Sequence, residues 1–101
     1  MTPEQLRELR RDLPDFREEA PLPGALEDFC RHYGLDFALR RPGLSHRAGV
    51  IRSGQYSLMA HRWLQPGASR NLLLLHGYFD HSGLFGRLVD YGLSRGCNVL
   101  L

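Results

Sequence analysis

Residues 72–75 of the sequence are four consecutive leucines. They end at His76-Gly77, and a second, shorter apolar run, residues 99–101, follows Asn98. A short continuous apolar run is typical of a strand buried on both faces of a mainly parallel sheet. Parallel strands need a long crossover connection, usually a helix. The two runs therefore predict a strand–helix–strand unit.

The segment between the two runs carries the helix that this unit requires. Its apolar face is predicted to comprise Leu84, Phe85, Leu88, Val89 and Leu93. Gly96 is predicted to end this helix.

A β-hairpin is predicted upstream of the leucine run. Residues 47–52 and 56–64 are predicted to be its two strands, and Ser53-Gly54 between them is predicted to form the turn. Within the second strand, the period of two separates two faces: Tyr56, Leu58 and Ala60 on one, and Met59, His61 and Trp63 on the other.

Two helices are predicted before the hairpin. Thr2 can cap the first, with Pro3 at its first position and Gln5 completing a capping box, and Pro14 ends it. The second starts after Pro23-Gly24, ends at Gly34, and has an apolar face formed by Leu26, Phe29, Cys30 and Tyr33. We expect residues 1–43 to be a helical extension packed on a main domain at residues 44–101. A membrane-surface or partner-binding arm is the alternative.

Charge and composition narrow the functional classes. All 13 basic residues are arginine, and in the first 36 residues they alternate with acidic ones, so no basic stripe for nucleic acid is expected. No apolar run approaches the roughly 20 residues of a membrane-spanning helix, although peripheral membrane contact stays open. The N-terminus lacks a secretory signal pattern, and a cytoplasmic protein is the default expectation.

The metal-binding residue types show no familiar spacing. Cys30 and Cys97 are far apart, and each is expected to be a reduced, buried, small hydrophobic residue. His76 and His81 are five residues apart without an obvious third ligand. The sequence therefore predicts no metal site and no cofactor.

The leucine run and the residues after it form a motif. Residues 72–83, with the sequence LLLLHGYFDHSG, resemble the HGxxxHSG segment of α/β-hydrolases. The nearest branch is the monoacylglycerol lipase and lysophospholipase group, also described as serine aminopeptidase-like. Residues 56–64 and the loop at Pro66-Gly67 resemble that group's second strand and the loop after it. The resemblance covers about residues 44–101.

This resemblance implies the N-terminal part of an α/β-hydrolase fold, with a β-hairpin and then strand–loop–helix–strand, truncated in the fourth strand. The two N-terminal helices predicted from the residue pattern precede this part. It implies a carboxylic-ester hydrolase acting on a small ester or lipid. The backbone N–H of Tyr78 would be an oxyanion-hole donor, and Gly77 would allow the tight turn before it. His76, Asp80 and His81 would hold the loop by hydrogen bonds, and Phe79 would line the substrate pocket.

Residues 92–96 match the GxSxG pattern literally, but in the wrong context. A nucleophile elbow needs a strand before its serine and a helix after it. Here a helix is predicted before Ser94 and a strand after it, so Ser94 is expected to be a polar residue in the last helical turn. We therefore expect the nucleophile to be outside this chain and the 101 residues alone to be inactive. The alternative is a non-catalytic α+β binding or assembly module.

Overall fold

A computed structural model of the chain describes residues 2–77 and 80–101. Within that part of the chain, the helices and strands follow one another as α1 (Pro3–Asp12), α2 (Gly24–Tyr33), β1 (Ser45–Ser53), β2 (Tyr56–Leu64), β3 (Arg70–Leu73), α3 (Gly86–Ser94) and β4 (Cys97–Leu100). Short 3₁₀ helices at Phe37–Leu39 and Ser82–Phe85 precede β1 and α3.

The four strands form one mixed sheet in the order β1-β2-β4-β3. β1 pairs with β2 and β2 with β4 in antiparallel fashion, whereas β3 and β4 are parallel. The parallel pair is joined through α3, which confirms the predicted strand–helix–strand unit. Helices and a mixed sheet together make an α/β fold.

The hairpin is present, but its turn is shifted by one residue from the predicted position. Ser53 pairs with Tyr56, so the two connecting residues are Gly54 and Gln55 rather than Ser53 and Gly54. Gly54 has a φ of 60°, a left-handed conformation that glycine adopts without steric cost. The first strand is also longer than predicted because pairing extends back to Ser45.

The core lies on one face of the sheet. The strand register places His46, Trp63, Val99 and Leu72 side by side across all four strands on that face. All three helices contribute to the same core, whose buried hydrophobic residues are Leu9, Leu26, Cys30, Leu35, Phe37, Ala48, Trp63, Val89, Leu93 and Val99. The N-terminal helices therefore pack against the sheet within a shared core.

The prediction that the leucine run is buried on both faces is wrong. β3 is an edge strand with one covered face, where Leu72 and Leu74 are half-buried. On the other face, Leu73 is 64% exposed, and Leu75, just after the strand, is 81% exposed. The reason is that the helices of the described chain cover a single side of the sheet.

The other edge of the sheet is covered. The backbone N–H of Phe16 donates to the Val50 carbonyl, and the Val50 N–H donates to the Pro14 carbonyl. Gly49 allows this close approach, because a Cβ there would lie 2.6 Å from the Pro14 oxygen. The chain after α1 therefore closes the outer edge of β1.

The predicted helix signals at both N-terminal helices are confirmed. Thr2 and Gln5 form a capping box at α1, and Gly34 ends α2 with a φ of 72°. The predicted face of α3 is wrong in part: Val89 and Leu93 are buried, but Leu84 and Leu88 are 58% and 50% exposed. None of the described helices is long and apolar enough to cross a bilayer.

Candidate functional site

The segment between β3 and α3 holds the residues of the sequence motif. The Leu74 N–H donates to the Leu100 carbonyl, so pairing with β4 continues one residue beyond β3. The chain then turns: the Asp80 N–H donates to the Gly77 carbonyl at 3.1 Å, and His76 Nδ1 lies 3.0 Å from that same oxygen. Tyr78 and Phe79, the predicted oxyanion donor and pocket residue, lie outside the described residues.

The Asp80 carboxylate lies beside Gly77. A Cβ at Gly77 would be 3.3 Å from Asp80 Oδ2, which is closer than ordinary van der Waals contact. A side chain at Gly77 would therefore displace the carboxylate. His76, Gly77 and Asp80 are thus brought together in one turn, and all three are exposed.

His81 caps the 3₁₀ helix that precedes α3. Its Nδ1 accepts the Gly83 N–H at 3.1 Å, and its carbonyl accepts the Leu84 N–H. Because Nδ1 is the acceptor, the proton of the neutral ring is on Nε2. The ring also packs edge-on against Tyr33 of α2, with 5.0 Å between centroids. His81 therefore connects this segment to α2.

An apolar cavity of about 520 Å³ borders the same segment. Its apolar walls come from α1, α2 and β2, and include Leu6, Leu9, Phe29, Tyr33, Leu58 and Met59. His76, His81 and Ser82 line the cavity where it meets the β3–α3 segment. This arrangement combines an apolar compartment with a polar, histidine-bearing rim.

Ser94 has the structural context that the sequence predicted. It is the last residue of α3, and β4 begins three residues later. Its hydroxyl accepts a hydrogen bond from Arg41 at 3.1 Å, and the same guanidinium binds Asp90 at 2.6 Å. A helix before and a strand after the serine are the reverse of a nucleophile elbow.

A second group of reactive side chains lies in the core, away from the motif. Cys30 of α2, His46 of β1 and His61 of β2 each place one potential ligand atom within 4.8 Å of the others. The exposed fractions of Cys30, His46 and His61 are 2%, 4% and 0%. His46 Nε2 and His61 Nδ1 are 3.0 Å apart, and both rings stack with Trp63.

Burial determines the protonation of this group. It lowers the pKa of His46 to about 3, with His61 and Arg47 adding repulsion, and the pKa of His61 to about 4. It raises the pKa of the Cys30 thiol to about 12, with the Asp36 and Glu27 carboxylates adding to the effect. All three side chains are therefore neutral at pH 7.

Sequence reasoning placed Cys30 correctly as a buried, reduced residue but did not associate it with His46 and His61. Their sequence separations are irregular, and only the register of β1 on β2 brings the two imidazoles together. The one available signal was the period of two, which put His61 on the face with Trp63. Cys97, the other free cysteine, is half-buried at the start of β4.

Comparison with known proteins adds no relative. No family model matches the chain, and neither the curated proteins nor the solved structures contain a significant match to it.

Proposed function

We propose that this chain supplies one half of the oxyanion hole of a carboxylic-ester hydrolase of the α/β-hydrolase type. The donor in this proposal is the backbone N–H of Tyr78. The observation that carries the proposal is the position of the HGxxxHSG segment: it follows the carboxyl end of β3, precedes α3, and leads to a parallel neighbouring strand. In α/β-hydrolases, one oxyanion donor comes from the loop between the third strand and the following helix.

The sheet supports this proposal through the neighbours of β3. In the α/β-hydrolase sheet the third strand lies beside the fourth, and here β3 is paired in parallel with β4. In open α/β sheets, ligands bind outside the carboxyl ends of the strands. The turn at His76–Asp80 begins at that end of β3.

The cavity beside the segment supports an ester with an apolar group. Its walls are mainly leucine, methionine and aromatic side chains, and its polar members are concentrated where the β3–α3 segment reaches it. Small-molecule sites typically combine an apolar lining with a few convergent polar groups. An acyl chain would occupy the apolar part, with its carbonyl directed at the segment.

In the proposed ester hydrolysis, the β3–α3 segment contributes a fixed N–H donor and not a reactive side chain. Attack on an ester carbonyl places negative charge on its oxygen, and a preorganised N–H stabilises that charge without reorganisation. In the proposal, the capping bond of His81 and the turn at Gly77 hold the donor in place. The nucleophile is a serine other than Ser94, whose hydroxyl is engaged by Arg41 at the end of a helix.

The test is a pair of substitutions at Tyr78 in the protein that contains this chain and the nucleophile. Tyr78→Pro removes the donor N–H, and we expect kcat for a p-nitrophenyl ester to fall by at least about 100-fold with the fold retained. Tyr78→Phe keeps the N–H and should change kcat much less. Equal losses in the two variants would refute the backbone-donor assignment.

A further inference from the structure

The buried histidine pair is incompletely hydrogen-bonded. His46 Nε2 and His61 Nδ1 share one proton across 3.0 Å, and the other nitrogen of His61, Nε2, is buried without a partner in the described structure. Trp63 Nε1, on the indole stacked against both rings, is also buried without a partner. Unpartnered buried polar atoms are rare in folded proteins and often mark an ion or water site.

We propose that Cys30, His46 and His61 bind a Zn²⁺ ion. Thiolate sulfur and imidazole nitrogen are the ligands that zinc favours, and three protein ligands with an open fourth position are a recurrent zinc arrangement. The ion replaces the shared proton of the histidine pair.

The size of the cluster fits such an ion after a small contraction. With bonds of about 2.0–2.3 Å, tetrahedral coordination spaces the ligand atoms roughly 3.3–3.7 Å apart. The histidine nitrogens, 3.0 Å apart, separate slightly, and the longest separation in the cluster, 4.8 Å at most, shortens by about 1 Å. Side-chain rotation of Cys30 at the end of α2 supplies that movement.

An entry route to the cluster is present. A cavity of about 430 Å³ is lined by Cys30 and His46, so a hydrated ion can reach two of the three ligands from outside. Glu27 and Asp36 line the same cavity, together with Arg31 and Arg47, so it holds two carboxylates and two guanidinium groups. The fourth coordination position takes a water molecule from this side.

The proton balance of binding is simple. Both imidazoles coordinate as neutral rings, so the proton between them moves to the far nitrogen of the ring that carried it. The Cys30 S–H bond breaks, its proton leaves to solvent, and sulfur forms the bond to zinc. One proton is released per ion. Because the ligands come from α2, β1 and β2, the ion links α2 to the hairpin. It binds the folded chain and not the unfolded chain, and therefore stabilises the folded state.

Cobalt binding tests the site, because Co²⁺ reports thiolate and tetrahedral coordination by its absorption. The unmodified chain should bind one Co²⁺, displaceable by Zn²⁺, with a thiolate charge-transfer band. Cys30→Ser should abolish that band, and His61→Asn should weaken binding by at least about 100-fold, since even outer-shell partners are worth 10–100-fold. The matched controls Cys97→Ser and His76→Asn should bind as the unmodified chain does.

A measurement that leaves the cluster intact covers the case in which these variants fail to fold. X-ray absorption of the Zn²⁺ complex of the Cys97→Ser chain should show one sulfur near 2.3 Å and two imidazoles near about 2.0 Å. A shell of nitrogen and oxygen alone, or no bound zinc, would overturn the proposal. So would Co²⁺ binding that survives Cys30→Ser and His61→Asn together. The outcome is independent of the ester-hydrolase proposal.

Discussion

At the scale of single residues, Gly83 is the most constrained position of the motif. Its N–H donates a hydrogen bond to His81 Nδ1. An added Cβ would lie 2.7 Å from both His81 Cε1 and Tyr33 Cγ. Any side chain would push the His81 ring or α2 away. The glycine of the motif is therefore explained by the close packing of two rings against its backbone.

We predict that Gly83→Ala lowers the free energy of unfolding by about 1–3 kcal/mol, the usual cost of overpacking a filled site. Denaturant titration followed by circular dichroism measures this change. Gly24→Ala is the matched control, because a Cβ there meets nothing within 4 Å. Equal stability of the two variants would show that the Tyr33–His81 packing gives way easily.

The sequence allowed the motif residues to be located, because they are contiguous. It did not predict that His81 would be the cap of a 3₁₀ helix packed on α2, since that contact depends on tertiary packing. The Cys30, His46 and His61 cluster could not be predicted either. It depends on the pairing of β1 with β2 and on the position of α2 over them.

At the scale of elements, Gln65 joins the end of β2 to the end of α3. Its Nε2 donates to the carbonyls of Leu93 and Cys97, at 3.0 and 2.7 Å, and its N–H donates to Asn98 Oδ1. The last carbonyls of a helix have no partner within the helix. Gln65 adds a second donor to the Leu93 carbonyl, which also accepts from Gly96, and supplies a donor to the Cys97 carbonyl at the start of β4.

We predict that Gln65→Ala destabilises the chain by about 1–2 kcal/mol, because the Cys97 carbonyl loses its side-chain donor and the Leu93 carbonyl keeps only the Gly96 N–H. Thermal or urea unfolding provides the measurement. Gln55→Ala, at the exposed hairpin turn, is the control and should leave stability within about 0.5 kcal/mol. If Gln55→Ala were as harmful as Gln65→Ala, the role of Gln65 as a connection would be refuted.

Helix ends that are determined by nearby residues in the sequence were predicted correctly. Burial that is determined by packing against other elements was not. The capping box of α1 and the glycine that ends α2 depend only on residues close together in the sequence. The burial of β3 depends on what covers each face, and its apolar sequence alone gave the wrong answer. Likewise, Leu88 has helical spacing but lies on the outer side of α3, where nothing in the described chain covers it.

At the scale of the whole molecule, the helices cover one face of the sheet, residues 14–19 reach part of the other face, and one edge is open. Its second face carries Ile51, Leu58, Leu64 and Leu73, which are 38–64% exposed. No described strand pairs with the outer edge of β3, whereas residues 14–16 cover the edge of β1. After Arg70 and Asn71 this edge consists of leucines, and an exposed apolar edge is a template for association with another strand.

We predict that the isolated chain self-associates through this edge. Sedimentation velocity should show species larger than the monomer, and Leu73→Lys should shift them toward the monomer by placing a charge at the edge. Leu39→Lys, at a leucine that is 78% exposed in a 3₁₀ helix, is the control and should not. A monodisperse unmodified monomer with a sharp cooperative melt would contradict the prediction.

We propose that this chain belongs to a serine ester hydrolase whose nucleophile is not Ser94. Fluorophosphonate labelling of the protein that carries these residues, with the modified serine located by mass spectrometry, tests it most directly. We expect a single labelled serine other than Ser94. Its labelling should be slowed by Tyr78→Pro and unaffected by Ser94→Ala. Labelling at Ser94, or no labelled serine at all, would contradict it.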